Sequence, residues 1–311
     1  MTEAAAVPVS SRDPYNDYLG ELVRHGILIG SGVPGVYGKG SSFEAIVAGL
    51  GRLIDSEGAS LDAECLRFPP VMSRADFERS HYLESFPHFA GCVHAFTGTE
   101  RNHRELLRTV ESGGNWGAQL AATDVVLTPA ACYPLYPLAT GTLPDGGRLF
   151  NVQSYCFRHE PSEDPARMQV FRQHEFVRMG EPDDVASFRD FWLAKAHDML
   201  RRLGIEAEAV IANDPFFGRA GTMLAVNQVE KALKFELVAV VANESHPTAI
   251  VSCNYHQSHF GDAFGIRTAD GAAAHTACGG FGLERITLAL YRAHGFHTRE
   301  WPSTVVTALG L

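Results

Sequence analysis

The sequence predicts an α+β fold, a largely antiparallel sheet flanked by helices. Three observations carry that reading. Residues 149–160 and 168–180 both read as strands, and the polar stretch between them makes them the arms of a long hairpin. A single long helical pattern follows over 183–204, and strand-like segments then succeed one another near 205–212, 235–241 and 248–254. A glycine-rich strand or turn enters a helix near the end, in "HTACGGFGLERITLALYRAHG". Hairpin, helix, strands and helix in that order do not alternate as βαβ units would.

From Tyr15 to Leu28, the residues Tyr18, Leu19, Leu22 and Ile27 lie roughly at helical spacing. "SGVPGVYGKG", residues 31–40, is a loop by its Gly and Pro content. Its Gly38-Lys39 pair suggests a phosphate-cradling loop, but Val33 stands where the first glycine belongs. Gly40 follows the lysine where Ser or Thr is needed, so that reading fails. Residues 42–56 form a helix with Phe43, Ile46, Val47, Leu50 and Ile54 on one face. A Pro-Pro break at 69–70 precedes a polar helical start, and 101–111 look helical. "DVVLTPAACYPLYPLA" is a strand leading into an irregular, proline-punctuated segment. In the 183–204 helix, Asp183 or Asp184 caps the start, and Phe188, Phe191, Lys195 and Met199 follow the period. Gly204 ends it. With no repeat or long linker, residues 15–311 form one domain behind a flexible tail of residues 1–14.

Composition narrows the function. The chain has 311 residues, 45% hydrophobic and 20% charged, with a formal net charge of -10. Phosphate backbones need clustered Lys and Arg, so a dedicated nucleic-acid binder is disfavoured. No apolar run approaches the ~20 residues that span a bilayer, and the N-terminus does not read as a secretory signal. Six cysteines, at 65, 92, 132, 156, 253 and 278, form no CxxC pair, which suggests reduced thiols in the cytoplasm.

Two clusters could do chemistry. Arg158 and Glu160 share a strand face, because side chains two apart point the same way. They are either a plain ion pair or a split recognition device, Arg for a phosphate and Glu for an amino group. The hairpin adds Arg167 and the flat side chain of Phe171. In "GGFGLERI", small residues let a ligand or backbone approach before Glu284 and Arg285 open a helix. Taken alone, those two charges read as a solvated helix start. Lys234 and Glu236 share a strand face, and Ser252 is a similar secondary candidate.

Together, "FRHE…RMQVF" and "GGFGLERI" resemble the second and third signatures of class II aminoacyl-tRNA synthetases. "LRFPPVMSR" resembles the first, a proline-bearing segment at their dimer interface. The resemblance covers nearly the whole chain. It narrows to the atypical seryl-tRNA synthetases of methanogens, and within them to short bacterial relatives, the amino acid:carrier-protein ligases. It implies a class II synthetase-like catalytic domain that binds ATP, with Arg158 and Arg285 catalytic. Arg158 would bridge the amino acid carboxylate and the α-phosphate, and Glu160 would read the adenine amino group. Arg167 would hold the outer phosphates, Phe171 would stack on adenine, and Arg285 would cover the other adenine face and the γ-phosphate. Lys234, Glu236 and Ser252 would reach the phosphates and Mg²⁺. Cys132, Glu175 and Cys278 would hold one Zn²⁺ per subunit. The sequence departs from ordinary seryl enzymes at Ala249, where a metal-binding glutamate is expected. The implied reaction activates glycine or alanine as an adenylate and passes it to the phosphopantetheine thiol of a carrier protein. A homodimer is expected, and no tRNA, since this length leaves no room for a tRNA-binding domain. Alternatives are an enzyme that charges tRNA or another macromolecule, and a non-catalytic paralogue. Arg219 and Lys231, around "AGTMLAVNQVEKAL", are docking candidates. His81, His256 and His259 have no ligand spacing and read as surface or core residues.

Overall fold

Seven strands make one sheet whose central strands are buried on both faces. A computed structural model describes residues 14–311; the tail expected over 1–14 lies outside the described residues but for Pro14. The strands are β1 (Glu64–Arg67), β2 (Arg148–Phe157), β3 (Val170–Gly180), β4 (Ala207–Ile211), β5 (Lys234–Ala239), β6 (Thr248–Gln257) and β7 (His275–Gly282). Their spatial order is β4-β5-β6-β7-β3-β2-β1. The predicted hairpin is β2 with β3, paired from Arg148↔Met179 to Phe157↔Val170. Every neighbouring pair is antiparallel except the edge, where β1 runs parallel to β2. The antiparallel expectation holds for the hairpin and its neighbours. One parallel pair at the edge is compatible with a largely antiparallel sheet, and its long crossover leaves no local turn signal.

The principal helices are α1 (Pro14–Arg24), α2 (Ser41–Glu57), α3 (Glu100–Glu111), α4 (Pro182–Arg202), α5 (Gly218–Glu230), α6 (Leu283–His294) and α7 (Ser303–Leu309). α2, α4 and α6 cover one sheet face and bury the stripes their spacing requires: Phe43, Ile46 and Leu50; Trp192 and Met199; Leu283, Ile286 and Leu290. Gly279 lets α4 approach, since a Cβ there would lie 2.7 Å from Trp192 Cβ. Two details of α4 differ from expectation. Its N-cap is Glu181 with Pro182 following, so Asp183 and Asp184 lie in the first turn, where they complement the helix dipole. Its inward residues include Trp192 and Ala196, while Phe191 is 41% exposed and Lys195 reaches out to Glu57. A separate three-stranded sheet, Val71–Ser73, Cys92–Ala95 and Ala121–Leu127, flanks the frame. Among the described residues no helix is long and apolar enough to cross a membrane.

Candidate active site

The sheet face away from α2, α4 and α6 floors a cavity of about 680 Å³. Strand register builds that floor. Glu236 pairs with Ser252, Ser252 with Gly280, and Gly280 with Glu175, which makes one row across four strands. Lys234, Asn254 and Cys278 make the next row. Because the side-chain period is two, Phe171 and Glu175 face the cavity while Arg172 and His174 between them face the helices. All the predicted site residues line this cavity except Arg167, which is half exposed and pairs with Glu160 and Asp164. Cys132 arrives from the irregular segment after the small sheet, and Arg285 from the first turn of α6.

Charge in the cavity follows a pattern. Buried Lys234 donates to Asp214 at 2.5 Å and lies 3.0 Å from Glu236. Buried Glu284 accepts from the Arg172 backbone N–H at 2.6 Å and its Nε at 2.7 Å. Arg172 meets Glu44 at 2.6 and 2.9 Å through its terminal nitrogens. The hairpin's charges thus do not all serve one face: Arg172 is a structural ion partner. Among the described residues, Arg158 and Arg285 form no ion pair. Arg158 donates to the Pro129 carbonyl at 3.2 Å, and its guanidinium lies 5.4 Å from the Phe171 ring. Arg285 donates to the carbonyls of Ala166 at 2.8 Å and Ala249 at 2.9 Å. Burial holds the Arg285 pKa below its ordinary value, and repulsion from Arg158 and Arg167 adds to this. Two cations thus converge with no carboxylate at ion-pair distance, although Glu160, Asp214 and Glu236 line the same cavity.

At the other end sit Cys132, Glu175 and Cys278, all buried. Burial pushes the Glu175 carboxyl up, and the Cys132 thiol, the Arg158 charge, the Ala131 backbone and the Cys278 thiol offset part of that. Its Oε2 is buried without a hydrogen-bond partner. Burial likewise pushes both thiols well up. Among the described residues, no three His, Cys, Asp or Glu side chains are grouped as a metal site.

Sequence reasoning missed three residues. Asp214 holds Lys234 and Gln228. Asn254 donates to Cys278 Sγ at 3.3 Å and also receives the Ser252 hydroxyl at 3.2 Å. His256, read as an ordinary histidine, lines the cavity 3.7 Å from Cys278 Sγ, with burial holding its pKa at about 4. The alternation of Ser252, Asn254 and His256 along one strand could have found the last two. His81 and His259 lie at the rim, with His81 bonded to Glu84.

No protein-family model matches the chain. It is 45% identical over 297 residues to amino acid–acyl-carrier-protein ligase 1 of Bradyrhizobium diazoefficiens, covering 95% of this chain and 90% of that one. Ligase 2 of the same organism is 44% identical over 306 residues, covering 98% and 91%. A type-2 serine–tRNA ligase of Methanopyrus kandleri is 27% identical over 207 residues, covering 62% and 39%. Among solved structures, M. kandleri seryl-tRNA synthetase in complex with A. aeolicus tRNASec superposes with a TM-score of 0.79 at 21% identity, over 99% of this chain and 62% of that one. Seryl-tRNA synthetase from Pyrococcus horikoshii complexed with ATP gives 0.68 at 15%, over 94% and 62%. The chain therefore spans less than two thirds of each synthetase. At these identities the likeness carries the fold, a class II aminoacyl-tRNA synthetase catalytic domain.

Proposed function

The chain belongs to the amino acid–acyl-carrier-protein ligase family, and from that premise we propose how its cavity works. The protein is an ATP-dependent ligase that aminoacylates a carrier protein. Its substrate is a small amino acid, glycine or alanine. In the first step a carboxylate oxygen of the amino acid attacks the α-phosphorus, the bond to the bridging oxygen breaks, and pyrophosphate leaves. In the second, the phosphopantetheine sulfur attacks the acyl carbon and AMP leaves, giving a thioester.

One observation carries this reading: Arg158 and Arg285 converge on one cavity without a carboxylate partner, while Lys234 and Arg172 are both paired. Partly buried guanidinium groups left in that state are offset when an anion arrives. Arg158 bridges the attacking carboxylate and the α-phosphate, where its planar fork matches both. Phe171 and Arg285 sandwich adenine, and Arg285 also meets the γ-phosphate. Glu160 and Arg167 give up their mutual pair to take the adenine amino group and the outer phosphates. Mg²⁺ accompanies ATP, as in class II synthetase-like enzymes, with Glu236 and Ser252 toward it and Lys234 toward the phosphates. No side-chain nucleophile is required, because positioning and charge stabilisation supply the catalysis.

We assign one Zn²⁺ per subunit to Cys132, Glu175 and Cys278. Two thiols and a carboxylate with an orphaned buried oxygen suit a thiophilic dication, which favours deprotonated sulfur where burial alone opposes it. When bound, the ion supplies a Lewis-acid anchor for the α-amino group. Residues 15–311 act as one catalytic domain, and the acidic net charge of -10 speaks against tRNA as acceptor. The carrier arm approaches over α5, whose Leu224, Asn227 and Gln228 line the cavity while Arg219 and Lys231 stand exposed at its ends. A homodimer is supported by α3, which buries no residue and exposes Leu107 and Val110.

The test is amino-acid-dependent ATP–pyrophosphate exchange, with and without a zinc chelator, followed by transfer of labelled amino acid to a phosphopantetheinylated carrier. Exchange with glycine or alanine, lost on chelation, is expected. No exchange with any amino acid would overturn the reading.

A further inference from the structure

We propose that the segment from Pro34 to Glu44 is a brace that sets the nucleotide clamp from behind, with Gln169 and Glu284 as positioning residues. This rests on the nucleotide roles proposed above for Arg167, Phe171 and Arg285. The segment takes in most of the glycine and proline stretch that fails as a phosphate loop, and none of its residues lines the cavity.

Three ties connect it to the clamp. Gln169 is 6% exposed and donates twice to the segment, from its backbone N–H to Gly35 O at 2.7 Å and from Nε2 to Pro34 O at 2.9 Å. Its own carbonyl accepts from the Arg158 N–H at 2.9 Å, so it also joins the two hairpin arms. Lys39 Nζ lies 3.8 Å from Glu284. Glu44 takes both terminal nitrogens of Arg172, and Arg172 passes its remaining donors to Glu284.

Each anchored residue lies within two positions of a clamp residue in sequence. Gln169 lies between Arg167 and Phe171, Arg172 follows Phe171, and Glu284 precedes Arg285. Phe171 and Arg172 face opposite sides of β3, so the tie on Arg172 from behind fixes Phe171 in front, while Glu284 acts within the first turn of α6 and Gln169 acts through its carbonyl, which holds the Arg158 N–H. Arg172 and Glu284 are buried charges that hold one geometry only when their partners are met, and Glu44, 43% exposed, closes the chain from the surface side. Gly35 completes the contact. Its φ is +73°, and a Cβ there would lie 3.1 Å from Arg167 O and 3.2 Å from Gln169 Cγ.

The brace predicts a selective defect. Gln169→Ala and Gly35→Ala are made in the full chain. Affinity for a fluorescent ATP analogue is measured directly, and KM for ATP and for the amino acid is measured by exchange. Both variants should weaken analogue binding and raise KM for ATP about tenfold, as a misplaced contact residue does. The amino acid KM should stay within about twofold, because both variants keep the Gln169 carbonyl that holds Arg158 and change only contacts on the Arg167–Phe171 side. Unchanged ATP affinity in both variants would overturn the brace, as would equal rises in both KM values. If Gly35→Ala does not fold, Gln169→Ala decides alone. A wild-type protein without exchange would remove the ligase mechanism, while analogue binding would still test the brace.

Discussion

Replacing Arg158 by alanine should separate activity from stability. In the fold this side chain makes one hydrogen bond, 3.2 Å to Pro129 O, and one ring contact, 5.4 Å to Phe171. Their loss costs about 1–2 kcal/mol. The melting temperature should fall by no more than about 4 °C for a chain of this size. The chemistry loses far more. A preorganised donor at a developing charge is worth about 10²–10³ in rate, and an arginine on a transferring phosphoryl group about 10³–10⁵. Arg158 is assigned both tasks, so exchange should drop by at least about 10³, or about 4 kcal/mol of barrier. The assay is pyrophosphate exchange at saturating ATP and amino acid, alongside a thermal melt. Exchange within tenfold of wild type would refute the clamp. A parallel collapse of fold and activity would refute the claim that Arg158 is free of structural duty.

Other outcomes follow from the same geometry. Cys278→Ser should lose bound zinc, by elemental analysis, together with exchange; an active metal-free variant would remove the metal assignment. Arg172→Ala leaves Glu284 buried without its main partner and should cost about 3–5 kcal/mol in urea unfolding; a loss below about 1 kcal/mol would show that Lys39 suffices. Glu44 is held below its ordinary value of 4.5, first by the hydrogen bond from Arg172. Its contribution to stability is full above that value and is lost as pH falls through the lower folded-state value. Glu44→Gln should therefore flatten part of the acid limb of a stability–pH curve while leaving the limb above neutrality unchanged.

The hairpin, the 42–56 helix and the glycine-rich strand were legible because each repeats a period over many residues. Phe171 and Arg172 show where legibility stops. Strand alternation says that they face opposite ways, but not that Arg172 meets Glu44, whose partner lies more than a hundred residues off in sequence. The cysteines at 132 and 278 carry no spacing signal, so only the family resemblance joined them to Glu175. The floor beside them was readable in principle, since Ser252, Asn254 and His256 alternate. His256 was passed over because one histidine on a strand has many ordinary explanations. Ala249 shows the reverse limit. The absent carboxylate bears on Mg²⁺ binding, yet the Ala249 backbone carbonyl holds Arg285 at 2.9 Å, a role no side-chain reading can reveal.

Gly280 sets a bound on how this pocket can change. It lies between Ser252 and Glu175, and a Cβ there would meet Glu175 Cγ at 3.4 Å and Ser252 O at 3.7 Å, ordinary contact distances. An alanine is therefore admissible, and it would lift the floor beneath an amino acid seated at Glu175 by one methyl group. The opposite move does not exist, because no residue is smaller than glycine. Room for a bulkier substrate has to come from other lining residues, among them the aromatic wall where Tyr133 packs edge-on against Tyr82 at 5.5 Å and Phe260 at 5.6 Å. Mutational drift from this sequence thus has an easy direction, toward the smallest substrate, and a hard one that must make room among packed side chains.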